Sequence, residues 1–488
     1  MGISTILGVT ACKATRGLLR IAKRGGTTVP GRAAMVFDKN ILAKVSENMD
    51  TIIVTGTNGK TTTCRMLEQA LSKSLEGTDK TVLANKSGAN LLKGVTAEFT
   101  ANATFTGKPK SQYAIIECDE GALKQVAPLV KPKVILVTNL FRDQLDRYGE
   151  VTHTLEHIRI GIEKVPKATI CLNADCSLVS SLAKDIPNEV IYYGIDCPYG
   201  DQSDPEISDA KYCINCGTEY EYDYHTYAHL GGFKCPKCGY KRHATDVAVT
   251  SVDKLTAKGT ELTMEFSDSA TGGRVPCRGN SDNEYKRDTG PVPLSRKQEH
   301  VLVGLPAIYN VYNAVGAICA YTAAGFERAD IIKSLAETGT SFGRMETFKL
   351  DGVDVQMILV KNPAGCNQAI NYVTSIEEDK TVAVCLNDRT ADGHDISWIW
   401  DAEYERIAED DRIKNIIVSG DRAEDIGLRL KYGGVDESRI EIVKGWDNLI
   451  NRMKQSDNPV FVLPNYTSMT SLRAPLAEIT GKGEFWKG

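Results

Sequence analysis

The run VTGTNGKTTT, residues 54–63, places two glycines, a lysine and five threonines where a polyphosphate could be held. Gly56 and Gly59 let backbone N–H groups turn inward around phosphate oxygens, and a following helix adds its positive N-terminus. Lys60 would reach the β- and γ-phosphates, and the Thr61 hydroxyl would ligate Mg²⁺. Thr57, Asn58 and Thr62 complete the cradle. The general P-loop pattern asks for glycine at position 54, where this chain has Val54. What supports phosphate binding is the context, a strand entering the loop and a helix leaving it.

Two polar clusters sit at the ends of further apolar runs. ECDEG (117–121) offers Glu117, Asp119 and Glu120, and TNLFRDQLDRYG (138–149) offers Asn139, Asp143, Gln144, Asp146 and Arg147. Ligands of open α/β sheets bind outside the carboxyl ends of the strands, where a carboxylate can hold Mg²⁺ beside a triphosphate. Glu117, at the strand end itself, is the best placed. Asp119 and Asp146 read equally well as helix caps or surface charges.

A third cluster has a different chemistry. Cys213, Cys216, Cys235 and Cys238 form CxxC-x18-CxxC, with each pair spanning a tight turn (CINCG, CPKCG). Four thiolates so spaced close a tetrahedral Zn²⁺ shell and leave no position for water, so the site is expected to be structural. His225, His229 and His243 lie nearby and are expected to be ordinary surface histidines. Tyr220, Tyr222, Tyr224 and Tyr227 could stack nucleic-acid bases, but packing within a small ribbon is the plainer reading.

These residues need elements to hold them. TIIVTG (51–56), YAIIECD (113–119), KVILVTNL (133–140), ATICLNAD (168–175) and NEVIYYGI (188–195) read as buried strands alternating with helices, hence a parallel sheet covered on both faces. Residues 246–266 alternate like antiparallel strands, residues 267–300 read as a polar loop or hairpin, and 307–325 as a helix stopped by Gly325. Apolar runs at 353–362, 381–387, 413–420 and 458–466 form a second, smaller Rossmann-like α/β unit without GxGxxG. The expected division is a basic arm over 1–37, a central ATP-binding domain over 38–340 with the ribbon inserted at 210–242, and a C-terminal domain over 341–488.

With 488 residues, the chain is too long for one core. Its net charge of −5 gives no case for nucleic-acid binding. Lys13, Arg16, Arg20, Lys23, Arg24 and Arg32 lie in the first 37 residues, which contain no acid. That arm could rest on an anionic membrane, but a solvated basic helix is the plainer expectation. The stretch is not a secretory signal, since its short apolar core contains a lysine, and no apolar run is long enough to span a membrane. The scattered remaining cysteines fit a reducing cytosol.

Taken together, the motifs resemble the Mur ligase family of ATP-dependent amide-forming enzymes. TGTNGKTTT is similar to that family's own P-loop, Glu117 matches its Mg²⁺ carboxylate, and Asn310 and Asn313 of NVYNAVGA match its Asn-x-x-Asn helix. GRME (343–346) matches its Gly-Arg-x-Glu, which places Arg344 near the nucleotide; Asn310 and Asn139 would join it there. Three features depart from the amino-acid-adding members: Gln144 and Lys361 stand at positions usually held by histidine, and fewer residues precede the P-loop. The departures, the ribbon and NDRTADGHDISWIWD (387–401) resemble one branch of the family, the ligase subunits that work with a glutaminase of the GatD kind.

This resemblance implies ATP-dependent amidation of the D-glutamate α-carboxylate in the stem peptide of lipid II or a related muropeptide, in a heterodimer with the glutaminase. It implies ATP, Mg²⁺ and structural Zn²⁺, no nucleic acid, and a cytoplasmic location in which substrate could bring the enzyme to the inner face of the plasma membrane. It also implies that the second domain lends an acid to the glutaminase site. Asp392 and Asp395 are the candidates, with Asp388 nearby. Lys60 and Glu117 are the catalytic candidates on the ligase side. The alternatives are a folylpolyglutamate-type amino-acid ligase and, on the strength of the ribbon alone, a nucleic-acid-dependent ATPase.

Overall fold

The computed structural model describes residues 2–21, 28–85, 89–141, 151–200, 210–256, 259–267, 297–338 and 344–482, with Arg344 described by its backbone alone. Asp143, Gln144, Asp146 and Arg147, Cys277 and most of the polar stretch 267–300 lie outside the described residues. The chain groups into two compact units, one formed by Met1–Leu140 and Val151–Thr338, the other by Phe141–Glu150 and Gly339–Gly488.

The first unit is built on strands β1 (Asp50–Thr55), β2 (Val82–Ala84), β3 (Tyr113–Glu117), β4 (Val134–Val137), β5 (Thr169–Asn173) and β6 (Val190–Ile195), followed by β9 (Val247–Thr256), β10 (Gly259–Phe266) and β11 (Lys297–Val303). Among the described residues these nine make one sheet in the order β11-β10-β9-β6-β5-β4-β1-β3-β2. Pairing is parallel from β2 to β9 and antiparallel for β9-β10 and β10-β11. The parallel strands are continuous in Ile, Val and Leu because both faces are covered; Ile53, Ile115, Ile116, Val134 and Leu136 have no exposure. The short β2 at the edge carries no comparable apolar run and is not legible from the sequence.

The ribbon hairpin β7 (Glu221–Tyr227) and β8 (Leu230–Lys234) occupies the connection between β6 and β9. Parallel neighbours require a crossover, usually a helix. Here the crossover carries the ribbon.

Helices α1 (Ile3–Ile21), α2 (Val29–Phe37), α3 (Ile41–Val45), α4 (Lys60–Ser74), α5 (Leu92–Asn102) and α6 (Glu120–Val130) belong to the same unit. In the basic stretch 1–37 the described residues form two helices that are solvated along one side only. One face of α1 buries Thr5, Gly8, Val9 and Cys12 against α2 and α5. Thr5 donates to Asp38 at 2.8 Å, and Arg16 pairs with Glu98 at 3.2 Å. Small residues at positions 5, 8, 9 and 12 give that face its close fit.

The second unit has β12 (Arg344–Leu350), β13 (Val353–Ile358), β14 (Lys380–Cys385), β15 (Ile413–Ser419), β16 (Ile440–Ile442) and β17 (Val460–Pro464), ordered β12-β13-β17-β14-β15-β16. Among the described residues only the β12-β13 pairing is antiparallel. Its core joins Phe348, Val355, Met357, Ile417, Val462 and Leu472.

Candidate active site and metal centre

Three adjacent strands, β3, β1 and β4, end together, and their carboxyl ends carry the phosphate-loop chemistry. Val54 of β1 lies in register with Glu117 of β3, and Thr55 with Val137 of β4. The chain leaves β1 through Gly56 at φ +118° and enters α4 through Gly59 at φ +86°, backbone conformations that disfavour a side chain. Packing repeats the demand. A Cβ on Gly56 would stand 2.4 Å from Thr138 Oγ1, and one on Gly59 would stand 1.9 Å from Asn313 Oδ1.

The loop is held from the β4 side. Thr57 N donates to Asn139 O at 2.8 Å, Asn58 N donates to Asn139 Oδ1 at 3.0 Å, and Thr138 Oγ1 donates to Asn58 O at 2.8 Å. Asn139 thus buttresses the loop. From the other side stands the helix Ile308–Ala323, where Asn313 Nδ2 donates to Asn310 Oδ1 at 3.2 Å and Asn310 Nδ2 donates to Pro306 O at 2.6 Å.

Lys60 opens α4, and its Nζ donates to Gly56 O at 2.5 Å and to Glu120 Oε1 at 2.8 Å. Burial raises the pKa of Glu120, against the opposing pull of the Lys60 ammonium. Thr61 Oγ1 donates to Glu117 Oε2 at 2.7 Å. A hydroxyl and a carboxylate oxygen so paired are the hard donors that Mg²⁺ prefers. Glu117 is itself fixed by Asn85, which donates to Glu117 O at 2.8 Å and accepts from Glu117 N at 2.8 Å. Asp119 caps α6 by accepting from Gly121 N at 3.0 Å. Thr62 faces inward on α4 and is buried.

Glu120 as the partner of Lys60 and Asn85 as the brace of Glu117 were not singled out from the sequence. Glu120 lay in plain view in ECDEG, and its place in the first turn of α6, beside the P-loop, is what distinguishes it. Asn85 follows a three-residue strand and left no signal.

In the ribbon, the four cysteine sulfurs lie within 4.8 Å of one another, with Cys213–Cys238 and Cys216–Cys235 each at 3.5 Å. A disulfide would need about 2.05 Å, whereas the edges of a Zn–S tetrahedron built on bonds of about 2.3 Å are about 3.8 Å. The donor set therefore fits a thiolate-bound metal. The two knuckles repeat one hydrogen-bond pattern. Cys213 N donates to Thr218 O and Gly217 N to Cys213 O, just as Cys235 N donates to Tyr240 O and Gly239 N to Cys235 O.

Behind the sulfurs, Tyr220, Phe233 and Tyr240 pack ring against ring, which turns the aromatic residues inward and away from a base-stacking role. The histidines correct an expectation. His229 has no exposure and His225 is buried, with Tyr222 stacked on His225. Only His243 is at the surface, stacked on Tyr192.

The ribbon is tied to the sheet by a buried carboxylate. Asp175, after β5, accepts from Arg242 Nε at 2.6 Å, Tyr312 Oη at 2.6 Å and Ile195 N at 2.8 Å. Burial raises its pKa, and these three donors draw it back toward the ionised form. Thr226 of β7 also meets the Tyr312 hydroxyl. Tyr312 lies between Asn310 and Asn313 on their helix.

In the second unit, the loop 387–397 separates the three aspartates by environment. Asp392 is buried, and both its oxygens are taken by Thr467, one by the backbone N–H at 2.8 Å and the other by the hydroxyl. Burial raises its pKa. Asp388 is paired with Arg422 at 2.7 Å, which lowers its pKa. Asp395 is half-buried and accepts from Ser397 N at 2.8 Å, and hydrogen bonds from that serine hold its pKa down. Asn362 caps the helix Pro363–Ser375 through Gly365 N at 2.8 Å. Arg344 opens β12, and its side chain is outside the described residues.

Comparison with known proteins extends this description. Residues 54–221 match the Mur ligase middle domain and residues 359–469 match the MurT ligase C-terminal family. The chain is 32% identical over 480 residues to the subunit MurT of lipid II isoglutaminyl synthase (glutamine-hydrolyzing) from Streptococcus pneumoniae, covering 98% of both chains. Against the same subunit from Staphylococcus aureus it is 32% identical over 470 residues, covering 96% of this chain and 95% of the relative.

Among solved structures, a pseudomurein peptide ligase type C from Methanothermus fervidus superposes with TM-score 0.61 at 19% identity, over 90% of this chain and 80% of that one. Folylpolyglutamate synthase of Mycobacterium tuberculosis superposes with TM-score 0.58 at 12% identity, over 91% and 95%. At such identities these two show a shared fold.

Proposed function

The chain belongs to the MurT ligase subunits of the Mur ligase family, and from that premise we propose that it amidates the α-carboxylate of D-glutamate in the lipid II stem peptide, using ATP and ammonia from a glutaminase partner. The observation that carries this reading is the end-to-end correspondence with subunits so named, over 98% of the chain in one case. The amino-acid-ligase alternative loses ground because the C-terminal match is to the MurT family specifically.

A free carboxylate does not react usefully with ammonia, since oxide would have to leave. Transfer of the γ-phosphoryl to a carboxylate oxygen gives an acyl phosphate and ADP; ammonia then attacks the carbonyl carbon and inorganic phosphate departs with the C–O electron pair. Positioning and electrostatics supply nearly all of this catalysis. Lys60 would exchange part of its contact with Glu120 and Gly56 O for the phosphate oxygens. Thr61 and Glu117 would hold Mg²⁺, which when bound neutralises phosphate charge. Thr138, Asn139 and Asn313 keep the loop in shape. Asn310 and Arg344 are assigned to the nucleotide on the family resemblance. The four cysteines would hold Zn²⁺ in a closed shell with no catalytic step.

Free ammonia is scarce at neutral pH, which is the physical reason for a partner that releases it from glutamine. A cysteine glutaminase needs a histidine and an acid to orient it. Of the candidates, Asp395 is the acid we assign to that task. It is accessible and its ionised form is favoured, whereas Asp392 is consumed by Thr467 and Asp388 by Arg422.

The test uses the chain with its glutaminase partner, lipid II, ATP and amide-labelled glutamine. Label should appear in the stem peptide with release of ADP and phosphate, ammonium should replace glutamine, and free amino acids should not. Asp395→Asn should abolish glutamine-driven but not ammonium-driven amidation. Incorporation of an amino acid instead of the label would overturn the reading.

A further inference from the structure

Helix α1 has two apolar faces. One is the packed face of Thr5, Val9 and Cys12. Along the other, Ile3, Leu7, Leu18 and Ile21 recur at helical spacing and stand in solvent, Ile3 at 78%, Leu18 at 68% and Ile21 at 83% exposure. The antiparallel neighbour α2 adds Val36 at 78% and Phe37. The Thr5–Asp38 hydrogen bond fastens the end of α2 to the packed face of α1. Scattered single apolar side chains on a surface need no explanation; a row of them along one helix face does.

We propose that the exposed ridge of α1 and α2 is a docking surface for an anionic lipid bilayer. The charge around it selects that occupant. The first 37 residues contain no acid in a chain of net charge −5. Arg20 in the last turn of α1, Arg32 on α2 and Lys39 just after it are exposed. Exposed aliphatic side chains with basic residues beside them are what an interfacial helix presents to headgroups and the outer acyl region.

A protein partner is less well matched. The ridge has no Trp or Tyr to act as an anchor. The helix lies on the bilayer and does not enter it, since no helix among the described residues is long and apolar enough to cross a membrane. This inference stands on surface chemistry and does not depend on which acceptor is amidated. If the acceptor is lipid-linked, the ridge confines enzyme and substrate to one plane.

The experiment is flotation of the full chain, with its glutaminase partner, on phosphatidylcholine vesicles with and without phosphatidylglycerol, in the absence of ATP. The chain should float with the anionic vesicles, and added salt should weaken the association. Leu18→Glu with Ile21→Glu should cut binding by about tenfold or more, and Val36→Glu should act in the same direction. Leu7→Trp, a replacement that keeps the ridge apolar, should show a blue shift of emission on adding anionic vesicles. Equal recovery with neutral and anionic vesicles, variants that float like the wild type, or a tryptophan whose emission does not move would each overturn the proposal. So would variants that keep their lipid binding but lose the glutaminase subunit, which would assign the ridge to a protein.

Discussion

Arg242 Nε lies 2.6 Å from Asp175 Oδ1, so a residue at the base of the ribbon neutralises a carboxylate that has no exposure to solvent. Removing one partner of a buried pair strands the other charge and costs about 3–5 kcal/mol. Arg242→Met should therefore lower the unfolding midpoint of the first unit strongly. Tyr312→Phe, which removes one of the neutral donors, should cost about 1–2 kcal/mol. Because Tyr312 sits between Asn310 and Asn313, Tyr312→Phe should also raise the KM for ATP. Urea titration and initial-rate kinetics measure the two effects separately.

The Lys60–Glu120 pair predicts opposite outcomes for its two members. Lys60→Ala removes the cation proposed to meet the phosphates, and ATP turnover should fall by about 10²–10³. Glu120→Gln removes the carboxylate that pairs with that cation at 2.8 Å and that would compete with phosphate for it. Nucleotide binding should tighten by about two- to tenfold. Calorimetric titration of both variants with ATP decides the matter. Weaker binding in Glu120→Gln would mean that Glu120 supports the bound state instead of competing with it.

The ribbon predicts a bound metal with a structural readout. Elemental analysis should find one zinc per chain, lost on Cys235→Ser. The ribbon core of Tyr220, Phe233 and the cysteines is too small to hold by packing alone. Hydrogen exchange over residues 212–242 should therefore speed up in that variant. Exchange over α4 and its P-loop reports whether the disturbance stays local.

Acid should loosen α1 through Asp38. Burial raises the pKa of this carboxyl, but the Lys44 ammonium at 2.7 Å, the Thr5 hydroxyl and the Asn40 N–H outweigh burial and bring it below the ordinary value. A carboxyl with a depressed folded-state pKa adds stability above its unfolded pKa and loses it as pH falls through the folded one. Asp38→Asn should thus lower the urea midpoint at pH near 7, and the gap from wild type should close as the solution is acidified below the carboxylate range. A gap that does not change with pH would remove the electrostatic explanation.

The parallel strands, the strand–loop–helix turn at 54–63 and the four-cysteine cluster were legible because each depends on local pattern. Apolar runs sit between helices, glycines stand at required turns, and CxxC pairs bracket a knuckle. What was not legible depends on contacts distant in sequence. Asn85 meets Glu117 only because β2 pairs with β3, and Asn313 meets Gly59 only because a helix from the far end of the unit lies across the loop. The histidines of the ribbon read as surface residues because nothing in their spacing shows that β7 folds inward onto Tyr312. The aspartates of the loop 387–397 could not be separated by sequence, since Thr467, which occupies Asp392, comes from a helix far along the chain.

The place of the ribbon in the sheet also sets an order of events during folding. Strand β9 pairs in parallel with β6, and everything between them is the ribbon connection. Until that long connection closes, β9, β10 and β11 face the entropic cost of a wide loop. Capture of a metal by Cys213 and Cys238 would draw the two ends of the excursion together and shorten the search. Metal supply would then govern how fast newly made chains mature, and zinc-starved cells would accumulate molecules whose outer three strands have yet to dock.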